Sequence, residues 1–250
     1  MFPFPGTEPE VRIVDLPNEQ FEVVCRDAQS GFVLLELGAE NEFSFYDYPK
    51  DGGRLALSGA HRLSVTERVI VDEFEMLVIK SHYAEAGGAY AGPPAYWNHV
   101  VRASDVESAE IESATGAKWV YRAHPAMAKP TVLKPGLVLE GTEPLFTSGQ
   151  ETEKTVDVFL EVVGAAEVSI GPKDYRCLRV HWSTPTPEQN VLAEYYVADT
   201  GRTVFFRRYD GPESPRYEGL DGHLSLEYRG VVWRHFYDCI PDHALITGAY

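Results

Sequence analysis

Val163-Gly164-Ala165-Ala166-Glu167-Val168-Ser169-Ile170, the turn Gly171-Pro172-Lys173-Asp174 and Tyr175-Arg176-Cys177-Leu178-Arg179-Val180-His181-Trp182 read as two β-strands joined by a tight connection. After a polar, Pro-rich loop, Ala193 to Ala198, the turn Asp199-Thr200-Gly201-Arg202 and Thr203 to Tyr209 supply two more strands. A similar order occurs earlier: Ser58 to Val65, then Phe74 to His82, a long loop, and Asn98 to Ala103. Phe74, Leu77 and Ile79 stand 101 residues before Tyr175, Leu178 and Val180. The pattern is either an internal duplication or a coincidence between short amphipathic strands.

Outward from these copies, alternating or wholly apolar runs bounded by Gly, Pro, Asp and Asn recur along the chain. They include Phe21 to Cys25, Phe32 to Leu37, Glu42 to Tyr48, Arg54 to Leu57, Arg68 to Val71, Ser108 to Glu112, Lys118 to Ala123, Thr155 to Val163 and Leu224 to Phe236. Strands at such spacing predict an all-β fold. The expectation is antiparallel, with two tandem half-barrel-like units packed into one β-barrel or sandwich body and few short helices. The units divide at residues 1–128 and 129–250, unless they form one continuous domain. Asp105 to Ala114 is the one candidate short helix, and Leu224 to Phe236 is read as an edge or closing strand. An edge there would suit pairing with a second subunit, so a homodimer is the oligomer considered.

Composition narrows the partners. With 38 acidic against 22 basic residues the formal charge is −16, which repels phosphate backbones and anionic lipid surfaces. No nucleic-acid or membrane partner is expected. Cys25, Cys177 and Cys239 lie far apart and lack zinc-ligand spacing, so they read as reduced, buried thiols. The start Met1-Phe2-Pro3-Phe4-Pro5-Gly6 has no basic or apolar leader region, and no apolar run is long enough to span a bilayer. A soluble cytoplasmic protein is expected, or a periplasmic one if a signal peptide has been removed.

Two segments break the strand rhythm. Residues 84–96 are rich in Ala, Gly and Pro and carry Tyr90 and Tyr96 just before Trp97, a composition for either a lid or a surface excursion. Ala123 to Gly136 is a Pro-punctuated connector between the copies. No acid occurs from Ser113 through Leu139, whereas Lys118, Arg122, Lys129 and Lys134 are basic. Such a stretch can hold an anionic ligand group or simply balance acidic strands.

The repeat carries a resemblance. Gly164-x-x-Glu167-Val168-Ser169-Ile170, Tyr175-x-Cys177-Leu178-x-Val180, Glu194-Tyr195-Tyr196-Val197-Ala198 and Gly201-x-x-Val204 resemble the half-barrel repeat of bacterial envelope proteins akin to the LolA/LolB lipoprotein carriers and the DUF3108-type proteins. The resemblance covers roughly residues 137–210 and implies a curved antiparallel sheet around an apolar cavity. It carries no catalytic positions, and this chain shows neither signal peptide nor lipobox cysteine.

No Gly-x-Ser-x-Gly, His-Glu-x-x-His, Walker loop or dinucleotide fingerprint is present, so no cofactor is expected. The histidines at 61, 82, 99, 124, 181, 223, 235 and 243 are scattered singly, and no metal site is expected from their spacing. Strand alternation places Cys177, Arg179 and His181 on one face and Leu178, Val180 and Trp182 on the other. Lys80 and His82 share a face in the first copy in the same way. Those faces either line a cavity or meet solvent. If they line one, His99, His181 and Tyr195 are the proton-moving candidates, while Lys80, His82, Tyr96, Trp97, Arg122, His124 and Arg179 would bind substrate.

Three functions are weighed. One is a cofactor-free lyase or isomerase acting on a small aromatic or anionic molecule. Another is a non-catalytic carrier of a lipid or other hydrophobic ligand. The third is a structural module.

Overall fold

The computed structural model describes residues 10–24, 37–47, 56–71, 74–85, 97–102, 108–113, 118–122, 132–147, 150–184, 191–211 and 224–245. In chain order the strands are β1 (Val11–Asp15), β2 (Val23–Val24), β3 (Glu40–Asp47), β4 (Ala56–Val71), β5 (Phe74–Glu85), β6 (Trp97–Arg102), β7 (Ser108–Ser113) and β8 (Lys118–Arg122). They continue as β9 (Val132–Leu133), β10 (Val138–Thr147), β11 (Gln150–Ile170), β12 (Lys173–Thr184), β13 (Val191–Ala198), β14 (Thr203–Asp210), β15 (Ser225–Tyr228) and β16 (Val231–Pro241). One short helix, α1 (Asp242–Leu245), follows.

The fold is all-β and antiparallel, as the alternation predicts. Among the described residues one large sheet runs in the order β1-β11-β12-β13-β14-β16-β3-β4-β5-β6-β7-β8, with β10 beside β11 and β15 beside β16; β2 and β9 form a separate pair. Two consecutive meanders, β3 to β8 and β10 to β14, are thus side by side, with β16 between them. Strand β8 returns close to β10 and β11 at the far end without hydrogen bonding to them, so the sheet rolls but does not close.

The two stretches compared in the sequence occupy matching places in the meanders. Val65 faces Ile79 and Val162 faces Val180, and in both pairs the next residue of the longer strand bulges out, Thr66 in β4 and Val163 in β11. These bulges allow strands of 16 and 21 residues to bend instead of breaking. Sequence reading divided both strands, taking Thr155 to Val163 apart from Val163 to Ile170 and Ser58 to Val65 apart from Arg68 to Val71. In the fold Gly164 continues the ladder opposite Arg179. Gly59 has a steric role: a Cβ there would lie 2.9 Å from the Ala84 carbonyl oxygen of the neighbouring strand.

Ser108–Ser113, which holds the Ser108 to Glu112 run and lies inside the alternative short helix, is strand β7, where its alternation gains cross-strand partners in β6 and β8. The C-terminal segment, read as an edge or closing strand, forms two strands: β15 pairs with β16 alone among the described residues, and β16 fills the gap between the two meanders. β16 pairs with β14 on one side and with β15 and then β3 on the other.

The rolled sheet buries both faces. On its inner face Leu77 and Ile79 of β5 cluster with Ala193 of β13 and Phe206 of β14, though several strands intervene in the sheet. Trp182, Tyr195 and Tyr237 pack against the same cluster. The inner surface of β11 and β12 is covered by Val23 of β2 and Leu133 of β9. On the outer face, Cys177, Tyr196, Phe205 and Ile240 pack under Ala244 and Leu245 of α1. The Tyr175 hydroxyl donates to the Ala244 carbonyl at 3.1 Å, fixing that helix.

Candidate functional site

Registered pairing sets a row of polar residues across the outer face. Glu161 of β11 is opposite His181 of β12, His181 opposite Glu194 of β13, Glu194 opposite Arg207 of β14, and Arg207 opposite Asp238 of β16. Directly opposed side chains are about 4.5–5.5 Å apart at Cβ, so each of these groups can reach the next. Alternation alone would leave the row in water. It is buried because β16 bulges between its partners Arg208 and Tyr209 and the β15–β16 hairpin crosses the face.

The hairpin is anchored at its tip. The Tyr228 hydroxyl donates to Glu161 Oε2 at 2.8 Å, and the Tyr228 ring meets the His181 ring edge-on at 4.7 Å. The Arg229 guanidinium lies 4.1 Å from the Phe159 ring centre and 3.6 Å from Glu140. Trp233 donates its indole N–H to the Tyr228 carbonyl, and Leu192, Tyr209 and Trp233 form a buried cluster against Leu226, Tyr228 and Val231. Arg229 and Gly230 both have positive φ, 51° and 73°, the geometry of a two-residue turn that matches strand twist.

Under this cover lie two connected groups. His181 Nε2 is 2.8 Å from Glu194 Oε2, and the Tyr196 hydroxyl donates to Glu194 Oε1 at 2.8 Å. Burial would raise the Glu194 carboxyl, but the hydrogen bonds from His181 and Tyr196 and the field of Arg207 hold it below the ordinary carboxylate range. An ionised carboxylate only accepts, so Nε2 of His181 carries the hydrogen, and in a neutral ring the lone pair is then on Nδ1. The second group is Arg207, which donates to Asp238 through Nε at 2.7 Å and Nη2 at 3.1 Å, with His235 Nε2 at 3.0 Å from the same carboxylate. Burial opposes charge on Asp238, yet His235 and Arg207 keep it ionised and its pKa low.

Among the described residues three buried polar atoms on this face of β12 lack a hydrogen-bond partner: Arg179 Nε, His181 Nδ1 and Ser183 Oγ. His181 and Ser183 are 4% and 1% exposed. Each unsatisfied group costs about 1–3 kcal/mol, a cost that chains retain chiefly where such atoms have another use.

The sequence candidates are distributed as follows. Arg179 is on the same outer face as His181, with Nη1 3.1 Å from Asp15 and a buried Nε that has no partner. Tyr195 is on the inner face beside Phe206, and burial raises its pKa far above the usual range. It therefore does not share a site with His181. Lys80 is half-buried in the first meander and ion-paired with Glu67 at 3.6 Å; His82 is half-buried on the same face. His99 and Trp97 belong to β6 and Arg122 to β8 by backbone register, while Tyr96 and His124 lie outside the described residues. Glu194 is one of the acid/base groups that sequence reading named on the strand after His181, whereas Ser183 and Asp238 were not singled out. Their one signal was a polar residue inside an otherwise apolar strand. Cys177 and Cys239 are buried thiols whose pKa burial raises. Among the described residues no three His, Cys, Asp or Glu side chains are placed to hold a metal ion, and no helix is long and apolar enough to cross a membrane.

No family model and no curated protein matches the chain. A solved structure from Bacteroides fragilis, described as having a YmcC-like fold, aligns over 84% of this chain and 97% of its own at 12% identity, with a TM-score of 0.38.

Proposed function

We propose that the protein is a cofactor-independent acid/base enzyme of the lyase or isomerase type, acting on a small aromatic or anionic organic molecule at the outer face of β11 to β14. One observation carries this reading: His181 is buried, its Nε2 is fixed by an ionised Glu194, and its Nδ1 is left without a partner. A carboxylate that orients an imidazole and supports its positive charge is the arrangement a proton-transfer residue needs. Arg179 lies two positions along the same face and offers a cation for an anionic substrate group. Tyr228, Phe159 and Trp233 supply aromatic walls. A cytoplasmic setting accords with this chemistry.

The test is solvent-deuterium incorporation into a panel of aromatic oxo and hydroxy acids, followed by NMR, with native protein and His181→Gln. Incorporation that depends on His181 supports the enzyme. A panel that binds with no proton exchange supports the second reading, a carrier of a lipid or hydrophobic ligand on the half-barrel pattern. That reading draws on the apolar and aromatic inner face around Trp182, Tyr195, Phe206 and Tyr237.

A further inference from the structure

We infer that Ser183 Oγ and His181 Nδ1 together form a subsite for an enolisable carbonyl compound, in which Ser183 holds the carbonyl oxygen and His181 removes the adjacent C–H proton. This rests on the acid/base reading above and narrows its substrate class. Both atoms are buried and unpartnered, on residues two apart on one face of β12. Alternate residues of a strand repeat about every 6.8 Å. An O=C–C–H fragment with a hydrogen bond at one end and a proton-transfer contact at the other spans on the order of 7–8 Å. The fragment therefore fits the spacing, whereas Ser183 and His181 make no hydrogen bond with each other.

The donor types fit as well. With Nε2–H given to Glu194, Nδ1 has the lone pair a base requires, and the serine hydroxyl is free to donate. In the step, the C–H bond breaks and its proton passes to Nδ1. The electron pair forms the C=C bond, and the carbonyl oxygen becomes an enolate oxygen that accepts the Ser183 O–H. Delivery of that proton to the enolate oxygen completes a keto–enol isomerisation with no other reactant, whereas its return to carbon after exchange with solvent regenerates the carbonyl compound with deuterium in place. Leu192, Trp233 and Tyr228 cover this part of the face, so the hairpin must lift to admit the compound and then exclude water from the enolate.

The experiment uses phenylpyruvate as the carbonyl probe and 3-phenyllactate as its hydroxyl counterpart, with deuterium exchange at the benzylic carbon followed by NMR. Native protein, His181→Gln and Ser183→Ala are compared, with a melting temperature for each. The expected result is protein-dependent exchange in phenylpyruvate, lost in His181→Gln and slowed on the order of 100-fold in Ser183→Ala. Ser183→Ala should melt at the native temperature or above, since it removes a hydroxyl with no partner. Exchange in Ser183→Ala at the native rate overturns the subsite and leaves the acid/base reading standing, as does exchange confined to phenyllactate. A lower melting temperature accompanying the slower rate also overturns it, by assigning Ser183 to packing. No exchange with either probe overturns both.

Discussion

At the scale of single residues, Arg207 and Asp238 decide how the polar row tolerates burial. Asp238 is 0% exposed, and its carboxylate accepts from two nitrogens of one guanidinium and faces His235. Removing the carboxylate leaves a cation in the core, which costs about 3–5 kcal/mol. Asp238→Ala should therefore lower the melting temperature by on the order of 10 °C. Asp238→Asn, which keeps one acceptor, should lose less; thermal unfolding followed by circular dichroism distinguishes them. Sequence reading located His181 and Arg179 on one face of their strand, and the structure keeps them there. It named Glu194 on the following strand but did not set it in one row with Arg207 and Asp238, because that row is set by register across β12, β13, β14 and β16, which alternation within one strand does not specify.

At the scale of elements, the tip of the β15–β16 hairpin meets β10 and β11 through side chains and not through a strand ladder among the described residues. The tip is held by Tyr228 on Glu161 and by Arg229 on Phe159 and Glu140. Arg229→Ala removes the ring contact and the ion pair and keeps a non-glycine residue at positive φ. Amides of residues 225–234 should then exchange with solvent faster than in the native protein, while those of β12 and β13 keep their protection; hydrogen-exchange mass spectrometry reads this directly. The strands themselves were largely legible, since β5, β12, β13 and β14 fall within one or two residues of the expected runs. β4 and β11 were read in pieces because the bulges at Thr66 and Val163 interrupt the alternation, and a six-residue run such as Ser108–Ser113 carries too little periodic information to choose between strand and helix.

At the scale of the whole molecule, a carboxyl pair joins the C-terminal helix to the first meander. Asp242 opens α1 and is hydrogen-bonded to Glu42 of β3, beside Arg62 of β4. Burial and then Glu42 push the Asp242 carboxyl up to about 7, while Glu42, also opposed by burial, is held low by Asp242 and Arg62. Tyr46 and Cys239 are the other titratable neighbours of Asp242. An acid with a raised native pKa binds its proton more tightly when folded, so the stability it contributes is fully present below about pH 4 and is lost as pH rises through about 7. Urea midpoints should fall between pH 5 and 8, and Asp242→Asn should flatten that slope. The all-β class was legible from strand spacing, but the sheet's continuity was not, because it depends on β16 meeting β3, with Phe43 opposite Pro241. That pairing sets a timetable for synthesis: at about 5–20 residues per second, β3 emerges on the order of 10–40 s before its neighbour exists. During that interval its open side must reject strands from other nascent chains, a task for which Glu40, Glu42 and Asp47 supply the charge.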